Sequence, residues 1–242
     1  MENQTQDYTY QNVIQMDDAD ASRKFIANVF MWMFVALGIS AAFAYEFSTP
    51  AFLRLLVDPA TNQLSGLFYL FMFAPLAFVL IMSFGMNRLS YGVLAFLFIL
   101  YSAVTGISFS IILLAYTASS VLGVFLTTSL VFGVMAVAGY TTKTDLTKFG
   151  SMMFMGLVGI IIASVINMFL HSQALDYLVS YVGVAVFVGL TAYDVQKLKN
   201  IGAGLQYGEA PARKMALMGG LTLYLDFINL FLMLIRIFGR RR

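Results

Sequence analysis

The last apolar stretch of the chain reads ALMGGLTLYLDFINLFLMLIRIF over residues 216–238. It is long enough to cross a bilayer as a helix, because the hydrocarbon core needs about 20 mainly apolar residues. An acidic residue, Asp226, lies in the middle of it. A charged side chain at that depth costs at least about 2.5 to 3.5 kcal/mol, so we expect Asp226 to face protein or water and to serve a function there.

The composition of the whole chain is that of an integral membrane protein. Of its 242 residues, 60% are hydrophobic and 11% are charged, whereas soluble proteins carry about 25% charged residues. The chain has no cysteine, which excludes disulfides, thiolate metal sites and thiol chemistry. The net charge of +2 is not gathered into a basic patch that alternates with exposed aromatic residues, so we expect no nucleic-acid partner.

Six more stretches have the length and composition of membrane spans, and each is apolar on every face, unlike the alternating strands of a membrane β-barrel. The seven predicted spans are residues 25–47, 66–84, 91–114, 119–138, 149–170, 177–196 and 216–238. We therefore predict an all-α integral membrane protein, a seven-helix bundle that forms a single domain over residues 21–242. Residues 1–20 are polar and acidic, and we expect them to form a disordered cytoplasmic tail.

Lysine and arginine are distributed unevenly between the two ends of the predicted bundle. If all seven helices cross, the side that holds the N-terminus carries Arg23, Lys24, Arg88, Lys143, Lys148, Lys197, Lys199, Arg213 and Lys214. The positive-inside rule then places the N-terminus in the cytoplasm, although the basic tail at residues 239–242 would lie outside. Either the earlier loops outweigh this tail, or the last stretch enters the membrane and returns as a re-entrant element. We favour seven crossings.

Three polar side chains of the last stretch share one helical face. Thr222, Asp226 and Asn229 lie at positions i, i+4 and i+7, which places them on the same side of a helix. A polar face in a membrane helix must point into the bundle, so the last helix is predicted to be central. A second carboxylate, Asp194, lies near the end of the preceding span. It has two candidate partners, the nearby Lys197 and Asp226.

Two motifs in these last two spans resemble the signature of the Bax-inhibitor family, also called the transmembrane Bax-inhibitor-motif family. They are AYDVQK at residues 192–197 and LTLYLDFINLF at residues 221–231. The resemblance extends through the helix count and loop pattern of the whole chain, including TGIS at residues 105–108 and KTDL at residues 143–146. The chain is identified as a bacterial-type member of this family, which implies a multi-pass protein of the inner (plasma) membrane.

The resemblance implies a bundle with the last helix in the middle and a proton-sensitive calcium leak, with no enzymatic activity. Asp194 and Asp226 match the aspartate pair that acts as the family's pH sensor, and Arg88 matches its latch arginine. Calcium would then be the permeant ion, held only transiently by the two aspartates, and no tightly bound cofactor is expected. The chain departs from the family pattern at Ala77, where a bacterial member has a glutamate. Glu46 is a possible substitute for it, although an interfacial charge explains Glu46 equally simply.

The chemistry of such a pair supports this mechanism independently. Two carboxylates in a dry site cannot both ionise cheaply, so they titrate as a unit and can share one proton. Calcium prefers six to eight oxygen ligands, and the two carboxylates with Thr222 and Asn229 form a thin set that suits passage better than storage. Counted from the predicted ends of their helices at about 1.5 Å per residue, the depths of Asp194 and Asp226 in the membrane differ by roughly 10 Å. Pairing therefore requires that the last helix begins below the membrane surface or that Lys197 snorkels.

Two other functions are weighed against a leak channel. Intramembrane aspartyl proteases also pair aspartates on two helices, but their Gly-x-Gly-Asp and Pro-Ala-Leu motifs are missing here, since no proline follows Pro211. The stronger alternative is a non-transporting regulator that binds a membrane protease or a cell-death factor, which the family resemblance also implies. Residues 1–20 and 200–214 are its candidate docking segments.

Overall fold

The computed structural model describes residues 4–56, 63, 65–205 and 210–241, with side chains from Asp20 onward. This part of the chain contains helices and no strands, which confirms the all-α prediction. The helices are α1 (Gln4–Phe47), α2 (Pro50–Leu56), α3 (Gly66–Gly85), α4 (Tyr91–Ala115), α5 (Ala118–Thr141), α6 (Thr147–Leu170), α7 (Gln173–Ala203) and α8 (Ala210–Phe238). All but α2 contain a segment long and apolar enough to cross a membrane.

Serine side chains begin three of the spans. Ser65, Ser90 and Ser172 each lie at the N-cap with an extended backbone, and each hydroxyl accepts a hydrogen bond of 3.4 Å from the N–H three residues later. Such caps satisfy N–H groups that have no partner within the helix. Helix starts that the hydropathy pattern places only approximately are therefore set by single residues.

One prediction about the polar segments is wrong. Residues 4–20, expected to be disordered, continue α1 as one helix of 44 residues. They contain neither glycine nor proline, so nothing interrupts propagation from the membrane span that follows. The connection after α1 contains the short helix α2, which begins at Pro50. Proline is well tolerated there, because the N–H of the first helical residue would have no acceptor within the helix. Pro59 lies outside the described residues.

The last helix is central, as predicted. In its most apolar window 61% of the α8 residues are buried, against 6% for both α3 and α6. Helices α1, α4, α5 and α7 surround α8, whereas α3 packs mainly on α4, and α6 on α7. The two peripheral helices therefore expose most of their surface, and α8 is the axis on which the others are arranged.

Contacts at the two ends of α8 establish that it crosses the whole bundle. At its start, the Arg213 guanidinium lies 5.4 Å above the Tyr91 ring at the beginning of α4. At its end, the N–H of Thr117 donates to the carbonyl of Arg240 at 3.0 Å, in the turn between α4 and α5. A re-entrant segment would bring both ends to one side of the bundle. The fold of the described residues therefore contains seven helices that cross from one end of the bundle to the other.

His171 ends α6 in the left-handed region, with φ of 51°. A β-carbon costs roughly 1 to 2 kcal/mol in that conformation, whereas glycine adopts it freely. We expect His171→Gly to raise the free energy of unfolding by up to about 1 kcal/mol, and His171→Ala not to raise it. Reversible unfolding in detergent measures both variants. Equal stabilisation by alanine would mean that the imidazole, and not the backbone conformation, carries the cost.

Candidate functional site

The structure brings Asp194 of α7 and Asp226 of α8 together. Their side chains lie within hydrogen-bonding reach of each other. Asp226 is 5% exposed, and its Oδ2 accepts no hydrogen bond from any N–H or O–H of the described residues. A buried carboxylate oxygen without a donor is costly, and the neighbouring Asp194 carboxyl can supply that donor when the pair holds a proton.

Both helices extend past their predicted ends, which corrects the boundaries given by hydropathy. Helix α7 continues to Ala203, and α8 already begins at Ala210. The first turns of α8 run beside the end of α7, where the Leu198 side chain packs directly on Gly219. In this antiparallel register Asp226 lies at the level of Asp194, although counting from the predicted helix ends places the two residues roughly 10 Å apart in depth. The pair therefore forms because α8 begins well before its apolar stretch.

A groove of about 770 Å³ runs along α7 between α6 and α8, and both aspartates line it. Thr222 and Asn229 line it as well, so the predicted polar face of α8 points into this space. The Thr222 hydroxyl donates to the Met218 carbonyl at 3.1 Å, and the Asn229 amide donates to the Leu225 carbonyl at 2.8 Å. The Thr222 hydroxyl hydrogen and one Asn229 N–H are engaged with the helix, and both side chains offer oxygen lone pairs, which suit a cation.

A small residue on α6 shapes one wall of this groove. The Tyr193 ring lies directly on Gly150, where a β-carbon would overlap it. Close approach at glycine is typical of helix packing in membranes. Tyr193 is thereby held beside Asp194 as part of the lining.

Lys197, and not Arg88, is the cation that lines the groove with the pair. Lys197 lies one turn after Asp194, lines the same groove and interacts electrostatically with that carboxylate. Its Nζ is 5.9 Å from the centre of the Tyr193 ring. Arg88, the predicted latch, is exposed in the turn between α3 and α4 and does not line the groove. The spacing of Asp194 and Lys197 indicated this neighbour in advance, since residues i and i+3 share a helical face.

Neither the position of the missing family glutamate, Ala77, nor its possible substitute, Glu46, reaches the site. Glu46 is exposed near the end of α1, and Ala77 is exposed on α3. The groove lining includes neither residue. No third carboxylate therefore joins Asp194 and Asp226 within the described part of the chain, where no group of three or more metal-ligating side chains occurs. Two carboxylates and two neutral oxygens fall short of the six to eight ligands of a calcium storage site.

Sequence reasoning missed a clamp beside the site, formed by Gln196. Its Oε1 accepts from the Leu146 N–H at 2.9 Å, and its Nε2 donates to the Thr144 carbonyl at 2.8 Å. These bonds fasten the α5–α6 connection to α7, two residues from Asp194. Where the connection meets α6, the Thr147 hydroxyl and N–H both donate to Asp145 and lower the pKa of its carboxyl. The motifs at residues 192–197 and 143–146 are thus contact partners, which their separation in sequence conceals.

Gln196→Ala is expected to lower the free energy of unfolding by about 1 to 3 kcal/mol, because the Leu146 N–H and the Thr144 carbonyl lose their partner. Faster hydrogen exchange in residues 142–147 would accompany this loss. Asn200→Ala, at an exposed position near the end of the same helix, is the matched control and should leave both measurements unchanged. Wild-type exchange rates in the Gln196 variant would show that the connection holds its conformation without the clamp.

Comparison with known proteins agrees with the motifs and the fold. Residues 22–242 match the family model described as "Inhibitor of apoptosis-promoting Bax1". The chain belongs to the Bax-inhibitor family. It is similar to "Inner membrane protein YbhL" of Escherichia coli strain K12, with 49% identity over 90% of this chain and 92% of that protein. Uncharacterised proteins of Borreliella burgdorferi and Rickettsia prowazekii are 44% and 38% identical, over 90% and 91% of this chain and 93% and 91% of those proteins. Membership covers nearly the whole membrane domain, including both aspartates.

Proposed function

We propose that this protein is a pH-sensitive calcium leak channel gated by the Asp194–Asp226 pair, and that it is not an enzyme. The observation that carries the proposal is the contact between two carboxyl groups from different helices at the wall of the 770 Å³ groove. Each acid is supplied by a motif that resembles the family signature. A function that needs both helices explains why both carboxylates are tolerated in apolar surroundings.

The gating step follows from the protonation of the pair. A shared proton allows one carboxyl to donate to the other and holds α7 against α8 at this level. When the proton leaves, two negative charges remain in contact, and their repulsion favours separation of the helices. The separated carboxylates, with Thr222 and Asn229, then form a negatively lined path that attracts cations. Calcium flux therefore rises as the pH rises through the titration of the pair.

Lys197 supplies the counter-charge of the ionised state in this mechanism. It stabilises a negative Asp194 from the same face of α7 and so favours opening. The latch role that the resemblance implies for Arg88 requires α3 to move toward α7. Such movement is inexpensive, because α3 packs mainly on α4 and little of its surface is buried. The two cations therefore act on different states, with Lys197 at the pair and Arg88 reaching it only after α3 moves.

The orientation proposed for the protein has its N-terminus in the cytoplasm. Ser22 donates to the carbonyl of Lys199, and Lys199 donates to the carbonyl of Tyr140, so these basic helix ends lie together. The positive-inside rule favours the cytoplasm for this end. Seven crossings then place the tail at Arg240 on the opposite side, where its basic residues are outweighed by those of the other loops. The name of the Escherichia coli relative supports the inner membrane as the location.

Calcium flux into dye-loaded, calcium-free liposomes tests the proposal directly. Purified protein is expected to admit calcium faster than empty liposomes do, with a rate that increases across a rising pH series. No flux above that of empty liposomes at any pH would contradict the channel. It would favour a non-transporting regulator, whose partner, a membrane protease or another membrane protein, could cover the exposed faces of α3 and α6. Cleavage of a transmembrane substrate that is lost in Asp226→Ala would instead indicate a protease.

A further inference from the structure

A second cavity lies away from the aspartate groove, in a gap between α1 and α5. It has a volume of about 330 Å³, within the range of about 300 to 1,000 Å³ that is usual for ligand pockets. Helices α4 and α8 form its floor, and its walls are almost entirely apolar. Lining side chains include Leu37, Ala41, Val121, Leu122, Phe227 and Phe231. We call this cavity the α1–α5 slot.

The slot opens sideways, toward the region that lipid occupies. Helix α1 packs on α4 and α8, and α5 packs on α7 and α8, but α1 and α5 hardly touch each other. At the opening, Tyr45 of α1 is 78% exposed and Leu122 of α5 is 59% exposed. Deeper inside, the Ser40 hydroxyl is already engaged with the Tyr224 hydroxyl and the Ser102 carbonyl. An occupant must therefore be apolar and able to enter from the bilayer.

Two arginines are held at the rim of this slot. Arg240 accepts a hydrogen bond from the Thr117 N–H at 3.0 Å and donates its own N–H to Ser120 at 2.9 Å. Thr117 directly precedes Ala118, which lines the slot. Arg241 forms a backbone bridge to Tyr116, and its guanidinium bonds the Tyr116 side chain. The end of the chain is thus fixed beside the opening by its backbone, which leaves the Arg240 guanidinium available.

Neither arginine is paired with a carboxylate of the described residues, although Asp176 contributes electrostatically at Arg241. Both are exposed, and no carboxylate of the described residues lies within salt-bridge distance of them. Arg236, one turn earlier, is paired with Asp176 at 3.3 Å. Positive charge at the rim of an apolar slot is complementary to one class of molecule, a lipid with a negatively charged head. Guanidinium groups match phosphate oxygens particularly well, because they donate two parallel hydrogen bonds.

We propose that the α1–α5 slot binds an acyl chain of an anionic phospholipid whose phosphate pairs with Arg240 and Arg241. A zwitterionic lipid carries an ammonium group that competes for its own phosphate, so an anionic headgroup is selected. This site shares no lining residue with the aspartate groove. The inference therefore stands or falls separately from calcium conduction.

Native mass spectrometry of the delipidated full-length protein tests the proposal, with phosphatidylglycerol and phosphatidylethanolamine of identical acyl chains as probes. Phosphatidylglycerol is expected to be retained preferentially. One basic side chain near an anionic membrane surface is worth about fivefold in binding. Replacing both Arg240 and Arg241 with glutamine should therefore remove most of the preference, whereas Arg213→Gln, an exposed arginine at the other end of α8, should keep it.

Filling the slot separates chain binding from headgroup binding. Ala41→Phe is expected to reduce retention of both lipids, and Val121→Phe, from the opposite wall, repeats the test if the first variant does not fold. Soluble glycerophosphoglycerol, which has the headgroup without chains, should not compete. Equal retention of the two lipids, unchanged binding in the arginine variant, or unchanged binding in a folded filling variant would each overturn the proposal. Competition by the soluble headgroup would overturn it as well, since the slot would then contribute nothing.

Discussion

Asp226→Asn is expected to abolish the pH dependence of calcium flux and to leave a low, constant leak. The amide cannot ionise, yet it can donate a hydrogen bond to Asp194 in the same buried position. The variant therefore mimics the protonated pair at every pH. A switch that releases one proton changes its population by at most about tenfold per pH unit, and this slope should disappear. Flux into proteoliposomes across a pH series measures it.

Asp194→Asn should have the same effect from the other helix, because either amide leaves the pair with a permanent donor. Asp176→Asn is the matched control. It removes a carboxylate from the same helix, but from a 46% exposed side chain that pairs with Arg236 and does not line the groove. The control should retain the wild-type pH profile. If Asp226→Asn kept the wild-type pH dependence of calcium flux, the pair would be excluded as the sensor. If Asp176→Asn lost that dependence, the loss of any negative charge on α7 would be enough to abolish it.

Gly139→Val is expected to lower the free energy of unfolding by about 3 kcal/mol, the upper end of the usual range for overpacking. Gly139 of α5 lies so close to α7 that a β-carbon would overlap the carbonyl group of Ala192. Backbone cannot rotate aside as a side chain can, so the two helices must separate. In a membrane this separation forfeits packing that holds the bundle together. Unfolding in mixed detergent measures the loss.

Gly133→Val is the control for this prediction, because it lies on the same helix and a β-carbon there meets nothing within 4 Å. Its effect should stay within about 0.5 kcal/mol. If Gly133→Val were as destabilising as Gly139→Val, the cost would belong to valine in α5 and not to the crossing with α7. Ala192 lies two residues before Asp194, so the Gly139 variant should also disturb the pH profile of calcium flux.

The clearest success of sequence reasoning is the polar face of the last span. The spacing of Thr222, Asp226 and Asn229 depends only on helical geometry, and all three line the groove. The clearest failures concern helix ends. Lys199 was expected to lie beyond the preceding span, yet it lies inside α7, where its Nζ donates to the Tyr140 carbonyl at 2.8 Å. Hydropathy marks where lipid surrounds a helix, and protein contacts can extend the helix further.

Arg88 shows a different limit. Its assignment as the latch rests on a position in a motif, and that position fixes neither the direction of the side chain nor the distance to α7. In the structure it is exposed while Lys197 lies in the groove. Gln196 was overlooked for a related reason, since a buried amide in a helix carries no signal until its partners at Leu146 and Thr144 are known.

The sequence by itself determined the membrane class, the seven spans, the central position of the last helix and the face that carries Asp226. These properties follow from composition and from the helical period, which act locally along the chain. Only the tertiary structure decided that Asp194 meets Asp226, that Lys197 accompanies them and that the tail at Arg240 closes on the α4–α5 turn. Those contacts depend on the register between helices, which is set by packing at single positions such as Leu198 on Gly219 and leaves no periodic trace in the sequence.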